Sequence, residues 1–371
     1  MSAPLKVVPV RSSSSRPGFT LIELLVVIAI IGILVGLLFP AVQAVRRGVF
    51  QNTVSTDIEQ ISAAVEQFKM DYGHFPSDFT EFLAADGTAL GFFDTIDPML
   101  YPQFAGVTVQ TRLEQILRRI SPSHNESSQE PTQTASISRL QFWWENVGVN
   151  LAENTIGTVA PYDTRFHRTR GPQVALWFWL TQIYNDAQFP LTGARRGLNS
   201  PDNQFVISER EVFFDFGPTT LQQISSVAYP TPNGTVLANG NNAYQIFRSM
   251  QRDSDSPMVY FHHNSYRSAG VDFDYEYLPA SEDSSNFAAA LIVRPDFDGD
   301  NTTTEFFAPT EYQIFTPGYS ESFGNFNLNV HTPTNPDDIE RINNADFNES
   351  LDNLTNFAEG RIDAFLDQVA N

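Results

Sequence analysis

The sequence predicts an α+β protein in which a long N-terminal helix packs on an antiparallel β-sheet head with large insertions. Two observations carry this prediction. An apolar run at residues 19–42 continues into an amphipathic segment, and short β-prone runs follow residue 204. A helix followed by strands that turn residues separate is typical of the α+β class. With 371 residues, 42% of them hydrophobic and 13% aromatic, the chain can bury a sizeable core.

The apolar run is long enough to cross a membrane. Residues 19–42 form a helix of roughly 36 Å, and Glu23 is the single charged residue within it. A secretory signal has a shorter apolar region followed by a small-residue cleavage site. Because this run instead continues to Pro40 and Arg46, we expect the apolar segment to be retained.

The charges on either side of the run predict its orientation. Residues 1–18 carry three cations and no acid: Lys6, Arg11 and Arg16. The positive-inside rule therefore predicts a cytoplasmic N-terminus and an exported head. The whole chain has 43 acidic and 22 basic residues, which disfavours nucleic-acid partners. The absence of cysteine excludes disulfides and thiolate zinc sites.

The stretch Gly18-Phe19-Thr20-Leu21-Ile22-Glu23, between the basic leader and the apolar run, resembles the type III signal of type IV pilins and type II secretion pseudopilins. The resemblance implies that a prepilin peptidase cleaves after Gly18 and methylates the new N-terminus at Phe19. It also implies that Glu23 meets the N-terminal ammonium of a neighbouring subunit during assembly. Removing three cations and no acid with the leader changes the formal charge from −21 to −24.

Membrane electrostatics supports a partner for Glu23. An ionised carboxylate costs about 2.5–3.5 kcal/mol at the centre of a spanning helix and less near an end. A cationic amine at the same depth offsets this penalty. The alternative is that Glu23 only reaches to the cytoplasmic interface.

Gly32 and Gly36 form a GxxxG pair, and Pro40 follows four residues later. Small residues let helices approach closely, and proline removes a helical hydrogen bond. The resemblance implies that the segment between Gly32 and Pro40 partly unwinds on assembly. The alternative is ordinary helix packing.

Beyond the membrane, one apolar stripe predicts that the helix continues until Gly73 and Pro76 stop it: Val54, Ile58, Ile61, Val65, Phe68 and Tyr72. The stretch Phe68 to Pro76 resembles the end of the long helix in major pseudopilins. We therefore divide the chain into four regions: a leader 1–18, a transmembrane assembly helix 19–45, its amphipathic continuation 46–73 and a head 74–371.

Within the head, residues 120–138 are predicted to form an exposed loop, and a second break falls at 192–204. Residues 173–189, with Trp177 and Trp179, are expected to be a buried helix or strand. Four β-prone runs follow: 204–216, 256–263, 286–294 and 311–318.

Calcium is the one metal that the sequence suggests. Major pseudopilins hold Ca²⁺ after the strand that 311–318 resembles, where Glu321 and Asp352 are candidate ligands here. A serine replaces the expected aspartate at position 320. A second acidic turn places Asp296, Asp298 and Asp300 on alternate positions, which suits Ca²⁺, although a solvated hairpin turn is the alternative.

The sequence favours a structural subunit over an enzyme. His262 and His263 are adjacent, so on a strand they are expected to point to opposite faces and to share no metal. No nucleophile elbow, phosphate loop or dinucleotide loop is present.

We therefore predict a pseudopilin-like subunit, single-pass in the inner membrane with a periplasmic head. Its expected partners are the prepilin peptidase, other copies and minor pseudopilins, and an inner-membrane assembly platform. The alternatives are a type IV pilus subunit for adhesion or motility, a minor subunit, and a tethered binding domain or enzyme that uses a pilin-type anchor.

Overall fold

A computed structural model shows how the chain folds. It describes residues 20–84, 88–98, 101–129, 136–152, 171–193, 210–228, 243–252, 257–265, 292–293, 305–306, 310–318, 354–356 and 360–361. The chain divides into two compact units, residues 1–50 and 51–371. Helix α1 (Leu21–Tyr72) begins in the first unit and ends in the second.

In the first unit, α1 presents apolar side chains to its surroundings in every direction. Leu21, Leu37 and Phe39 are 80%, 71% and 64% exposed. This helix is long and apolar enough to span a membrane. The hydrophobic effect would oppose such a surface in water, so the segment needs lipid or another protein around it.

In the second unit, α1 buries the stripe that the sequence predicts. Val54, Ile58, Ile61, Val65 and Phe68 are at most 3% exposed. The helix ends as predicted: Gly73 takes a positive φ of 74°, and its N–H donates to the carbonyl of Lys69 at 2.7 Å. Glycine adopts this left-handed conformation without the steric penalty of a Cβ atom.

The sheets of the head are antiparallel, which confirms the α+β prediction. The main sheet has the order β3-β6-β7-β8, formed by Val259–His262, Tyr312–Thr316, Leu354–Thr355 and Gly360–Arg361. In the pair formed by the edge strand β3 and its neighbour β6, Val259 lies opposite Phe315 and His262 opposite Tyr312. Two further antiparallel pairs occur among the described residues: β1 (Leu221–Ala228) with β2 (Ala243–Ser249), and β4 (Ile292–Val293) with β5 (Glu305–Phe306).

The described residues of the head form four further α-helices: α2 (Val109–Ile120), α3 (Arg139–Trp143), α4 (Val149–Ala152) and α5 (Gly171–Thr181). A π-helical turn at Trp144–Gly148 joins α3 to α4. Ten of the eleven residues of α5 are buried, so this helix lies inside the head. This confirms the burial predicted for residues 173–189 as far as Ile183, whereas Asn185, Ala187 and Gln188 are exposed.

Aromatic rings fill the space between α1 and α5. Trp179 stacks on Phe79 with ring centroids 5.5 Å apart and meets Phe68 of α1 edge-on at 6.1 Å. Its indole N–H donates to the carbonyl of Ser77 at 2.7 Å. The Tyr312 hydroxyl donates to the carbonyl of Ser62 at 3.2 Å, which joins α1 to β6.

Three details of the sequence prediction are wrong. Residues 211–216 form no strand, because Glu211 and Phe213 donate their N–H groups to the carbonyls of Ile183 and Leu180, at the end of α5. The sequence did not predict strands β1 and β2. The loop predicted at residues 120–138 is not wholly exposed, since Glu126 is 0% exposed.

Candidate functional site

The first turn of α1 is a capping box between Thr20 and Glu23. The backbone N–H and the hydroxyl of Thr20 donate to Glu23 Oε2 at 2.9 and 2.7 Å, and the Glu23 N–H donates to the Thr20 hydroxyl at 3.3 Å. Serine or threonine three residues before glutamate is the sequence signature of this motif. The cap is therefore recognisable from the motif T-x-x-E, which did not enter the prediction for Glu23.

This geometry leaves one side of the Glu23 carboxylate available. Both donors of Thr20 bind Oε2, and among the described residues no donor binds Oε1. Thr20 and Glu23 are exposed, and no other charged residue occurs from Thr20 to Val45. The site is thus a single carboxylate, half satisfied by its own helix, at the start of an apolar surface.

Gly32, Gly36 and Pro40 lie further along the same helix. A Cβ atom built at Gly32 or Gly36 meets no side chain within 4 Å among the described residues. Helix α1 continues through Pro40 without interruption. The two glycines therefore provide a shallow place on the surface where another helix has room to pack.

The structure does not describe the other predicted site residues. Gly18 and Phe19 lie outside the described residues, and so do the five candidate calcium ligands: Asp296, Asp298, Asp300, Glu321 and Asp352. Cleavage, methylation and calcium binding stay predictions. Within the part of the chain that the structure describes, no cluster of three metal-ligating side chains occurs.

The two adjacent histidines do not point to opposite faces as expected. Strand β3 ends at His262, and His263 begins a short 3₁₀ turn, so the alternation of a strand stops between them. Their rings face each other with centroids 4.2 Å apart. Burial lowers the pKa of His262 well below its usual range, and the charge of His263 lowers it further.

A buried carboxylate that the sequence analysis missed organises the loop after α1. Asp78 accepts hydrogen bonds from the N–H and hydroxyl of Thr80, from the His262 N–H at 2.9 Å and from the Ser265 hydroxyl. Burial raises the pKa of Asp78 to about 6, although these donors oppose the rise. The next residue, Phe79, has a φ of 65°, a conformation that is rare for a bulky side chain.

Asp57 ties α1 to the head through an arginine far along the chain. Arg252 donates from Nε and Nη2 to the two oxygens of Asp57 at 2.8 and 2.6 Å. Asp57 is 6% exposed, so the fork compensates a desolvated charge. Since 195 positions separate the partners, no local sequence pattern could have revealed this pair.

Comparison with known proteins identifies the region around Glu23. A family model, the prokaryotic N-terminal methylation motif, matches residues 13–39. The chain is 33% identical over 67 residues to the type II secretion system core protein G of Escherichia coli (strain K12), which is 18% of this chain and 46% of the relative. It is 40% identical over 62 residues to the core protein G of Pseudomonas aeruginosa, covering 17% of this chain and 44% of the relative.

The chain therefore spans less than half the length of these curated relatives. No solved structure matches it significantly. The similarity concerns the N-terminal region, whereas most of the head has no counterpart in these comparisons.

Proposed function

We propose that this chain, whose N-terminal region is that of the type IV pilin and pseudopilin family, is a subunit of a type II secretion pseudopilus or a related pilus-like fibre. In this proposal the inner membrane stores the subunit, with the head in the periplasm. Prepilin peptidase removes the leader after Gly18 and methylates Phe19. The mature subunit then joins the fibre through α1.

The single observation that carries the proposal is Glu23 at the start of the exposed apolar helix. An ionised carboxylate at membrane depth costs free energy unless it has a partner. The Thr20 cap satisfies Oε2 only, and the described residues provide no donor for Oε1. Cleavage after Gly18 creates a cationic N-terminus on each subunit. The N-terminus of a neighbouring subunit is therefore the group that complements the Glu23 carboxylate.

The pair Gly32 and Gly36 also supports the proposal that copies assemble through α1. Gly32 and Gly36 leave the α1 surface open within the first unit, and all of the large apolar residues from Leu21 to Phe39 are at least 45% exposed. Without a hydrophobic driving force between helices in lipid, close van der Waals contact holds spanning helices together. A fibre of copies gives these surfaces their partners.

A second candidate is a membrane-tethered head with its own activity. One observation favours it: the similarity to secretion proteins covers only 17–18% of this chain. A tethered protein would need the leader cleavage and the apolar helix but not polymerisation. Assembly therefore distinguishes the two candidates.

The test compares wild type with Glu23→Ala in cells that carry the secretion system. Mass spectrometry identifies the N-terminus, and shearing followed by sedimentation measures polymer. We expect a methylated Phe19 in both proteins and at least a tenfold loss of polymer in the variant. The matched control is Glu59→Ala, at an exposed glutamate of the second half of α1, which should leave both readouts unchanged.

Two results would overturn the proposal. If cleaved wild-type protein forms no polymer, the chain is a tethered head rather than a fibre subunit. If Glu23→Ala polymerises as well as wild type, the carboxylate has no role in assembly.

A further inference from the structure

Two arginines of the head form ion pairs in which they bind both oxygens of a carboxylate. Arg112 donates to both oxygens of Glu81 at 3.1 and 3.3 Å, and Arg252 donates to both oxygens of Asp57. Such a planar fork is the arrangement in which a guanidinium and a carboxylate bind best. The buried Arg139 also has a carboxylate nearby, since its charge lowers the pKa of Glu126 against the effect of burial.

Arg248 on β2 departs from this pattern. It is 8% exposed, yet its hydrogen bonds go to neutral amides: Nε donates to Gln222 Oε1 at 2.7 Å, and Nη1 donates to Gln173 Oε1 at 3.5 Å. Among the residues that the structure describes, no carboxylate forms an ion pair with it. The second bond is at the long limit for a hydrogen bond.

The described groups around Arg248 compensate its charge only in part. Its remaining N–H groups keep some contact with solvent, since none of its nitrogens is both fully buried and without a partner. The guanidinium carries five N–H donors and a full charge, and burying a charge is costly unless it is paired. Two amide oxygens, one of them distant, replace only part of the lost hydration. A carboxylate that reaches these remaining N–H groups would complete the compensation through charge-assisted hydrogen bonds.

We propose that Arg248, with Gln222 and Gln173, forms a carboxylate-binding site between the β1–β2 ribbon and α5. Gln222 is exposed, so the site has an approach from solvent, whereas Gln173 is 8% exposed and forms its inner wall. The guanidinium fork favours a planar carboxylate over a spherical anion such as chloride. Nε and Nη1 of Arg248 donate to the two glutamine carbonyl oxygens, and Nη2 has no acceptor among the described residues. Nη2 and the second hydrogen of Nη1 are therefore the donors that remain for the anion.

Two sources offer this chemistry: a small free organic anion, or an acidic side chain of a second copy. With 43 acidic residues and a formal charge of −21, each copy carries many candidate carboxylates. Both sources place a carboxylate on the same guanidinium, and the two arms of the experiment separate them.

The first arm measures the thermal unfolding of the full-length chain in non-ionic detergent by near-ultraviolet circular dichroism. Sodium acetate is compared with sodium chloride at equal ionic strength. A ligand that binds only the folded state raises Tm, here by about 2 °C or more near saturation. We expect this rise for wild type and for the control Arg119→Met, which removes an exposed arginine of α2, and no rise for Arg248→Met.

Arg248→Met should fold, because replacing a buried, poorly paired charge by an apolar residue is often neutral or stabilising. If it does not fold, Arg248→Lys serves instead. Lysine keeps the charge and loses the fork, so we expect at least a threefold weaker acetate affinity from the Tm titration.

The second arm measures self-association in chloride by analytical ultracentrifugation. If a second copy supplies the carboxylate, acetate reduces the self-association of wild type. In that case Arg248→Met associates more weakly than wild type in chloride, and Arg119→Met associates as strongly as wild type. If the anion is free, acetate raises Tm without any change in association. The proposal is overturned if acetate alters neither property of wild type, or if it alters Arg248→Met equally.

Discussion

The two halves of α1 have the same backbone conformation and opposite environments. Between Leu21 and Phe39 the large apolar side chains are exposed, whereas Val65 and Phe68 in the second half are 0% exposed. The first half is apolar on every face, whereas the second half buries one apolar stripe and exposes mainly polar residues, with Val49 and Met70 as large apolar exceptions. Helical conformation is thus common to both, and the distribution of polar residues decides what surrounds each half.

The carboxylates of the two halves also differ in where their hydrogen-bond donors come from. Glu23 finds its hydrogen-bond donors three residues away, in the cap of its own helix. Asp57 finds its donors on Arg252, 195 positions further along the chain. Local contacts therefore supply donors to one oxygen of the carboxylate in the first half, whereas tertiary contacts supply donors to both oxygens in the second.

Trp179→Ala should have the largest effect on stability, because it removes the ring against which the second half of α1 packs. Trp179 is 1% exposed and contacts Phe68 and Phe79. We expect a loss of about 3–5 kcal/mol in the free energy of unfolding of the head, typical of a buried tryptophan. Urea unfolding of the detergent-solubilised chain measures it.

The matched control is Phe93→Ala, since Phe93 is 64% exposed and its removal should change stability by less than about 0.5 kcal/mol. Leader cleavage should be unaffected in both variants. A loss below about 1 kcal/mol for Trp179→Ala would mean that the aromatic cluster does not hold α1.

Acid should destabilise the head through His74, which follows the end of α1. Burial lowers the pKa of His74 to about 4, so the unfolded chain takes up this proton first as pH falls from 6.5. The stability that His74 contributes is present above pH 6.5 and is lost towards pH 4, by at most about 3 kcal/mol. His74→Gln should flatten the stability profile over this range.

Asp78 should act in the opposite direction. Its pKa of about 6 exceeds that of an unfolded aspartate, so the folded state takes up its proton first and gains stability as pH falls from 6. Asp78→Asn should therefore steepen the acid loss. Urea unfolding at a series of pH values measures both slopes, and equal slopes in both variants and wild type would contradict these assignments.

Arg252→Met should weaken the attachment of α1 to the head by about 2 kcal/mol. The substitution leaves the buried Asp57 carboxylate without the two N–H donors of Arg252, and an unsatisfied buried charge is destabilising. Arg252 is itself partly exposed, so restoring neutrality with Asp57→Asn in the same chain should recover most of the loss. Chemical denaturation of the single and double variants gives the coupling, and simple additivity would argue against the pair.

Thr20→Val should give the smallest effect and concerns the first half alone. Valine keeps the shape of threonine and removes the hydroxyl of the cap, which typically contributes about 1 kcal/mol at a helix N-terminus. Hydrogen exchange of the amides of residues 21–24 in lipid nanodiscs should become faster. Exchange in the second half of α1 should not change, and an unchanged rate near Glu23 would show that the cap does not hold the first turn.

The sequence by itself determined the features that depend on neighbouring residues. The apolar run, the buried stripe, the end of α1 at Gly73 and the buried α5 all follow from periodicity, composition and turn chemistry. The T-x-x-E cap around Glu23 belongs to the same class. Strands β3 and β6 were also readable, because β-prone residues form them between turn residues.

Only the tertiary structure decided which distant groups meet. The pairing of Asp57 with Arg252, the donors around Asp78, the amide partners of Arg248 and the facing rings of His262 and His263 depend on how separate segments pack or end. Residues 211–216 have the composition of a strand, yet the end of α5 takes their hydrogen bonds. Such outcomes arise because a buried polar group must find its partner wherever the fold brings one within reach.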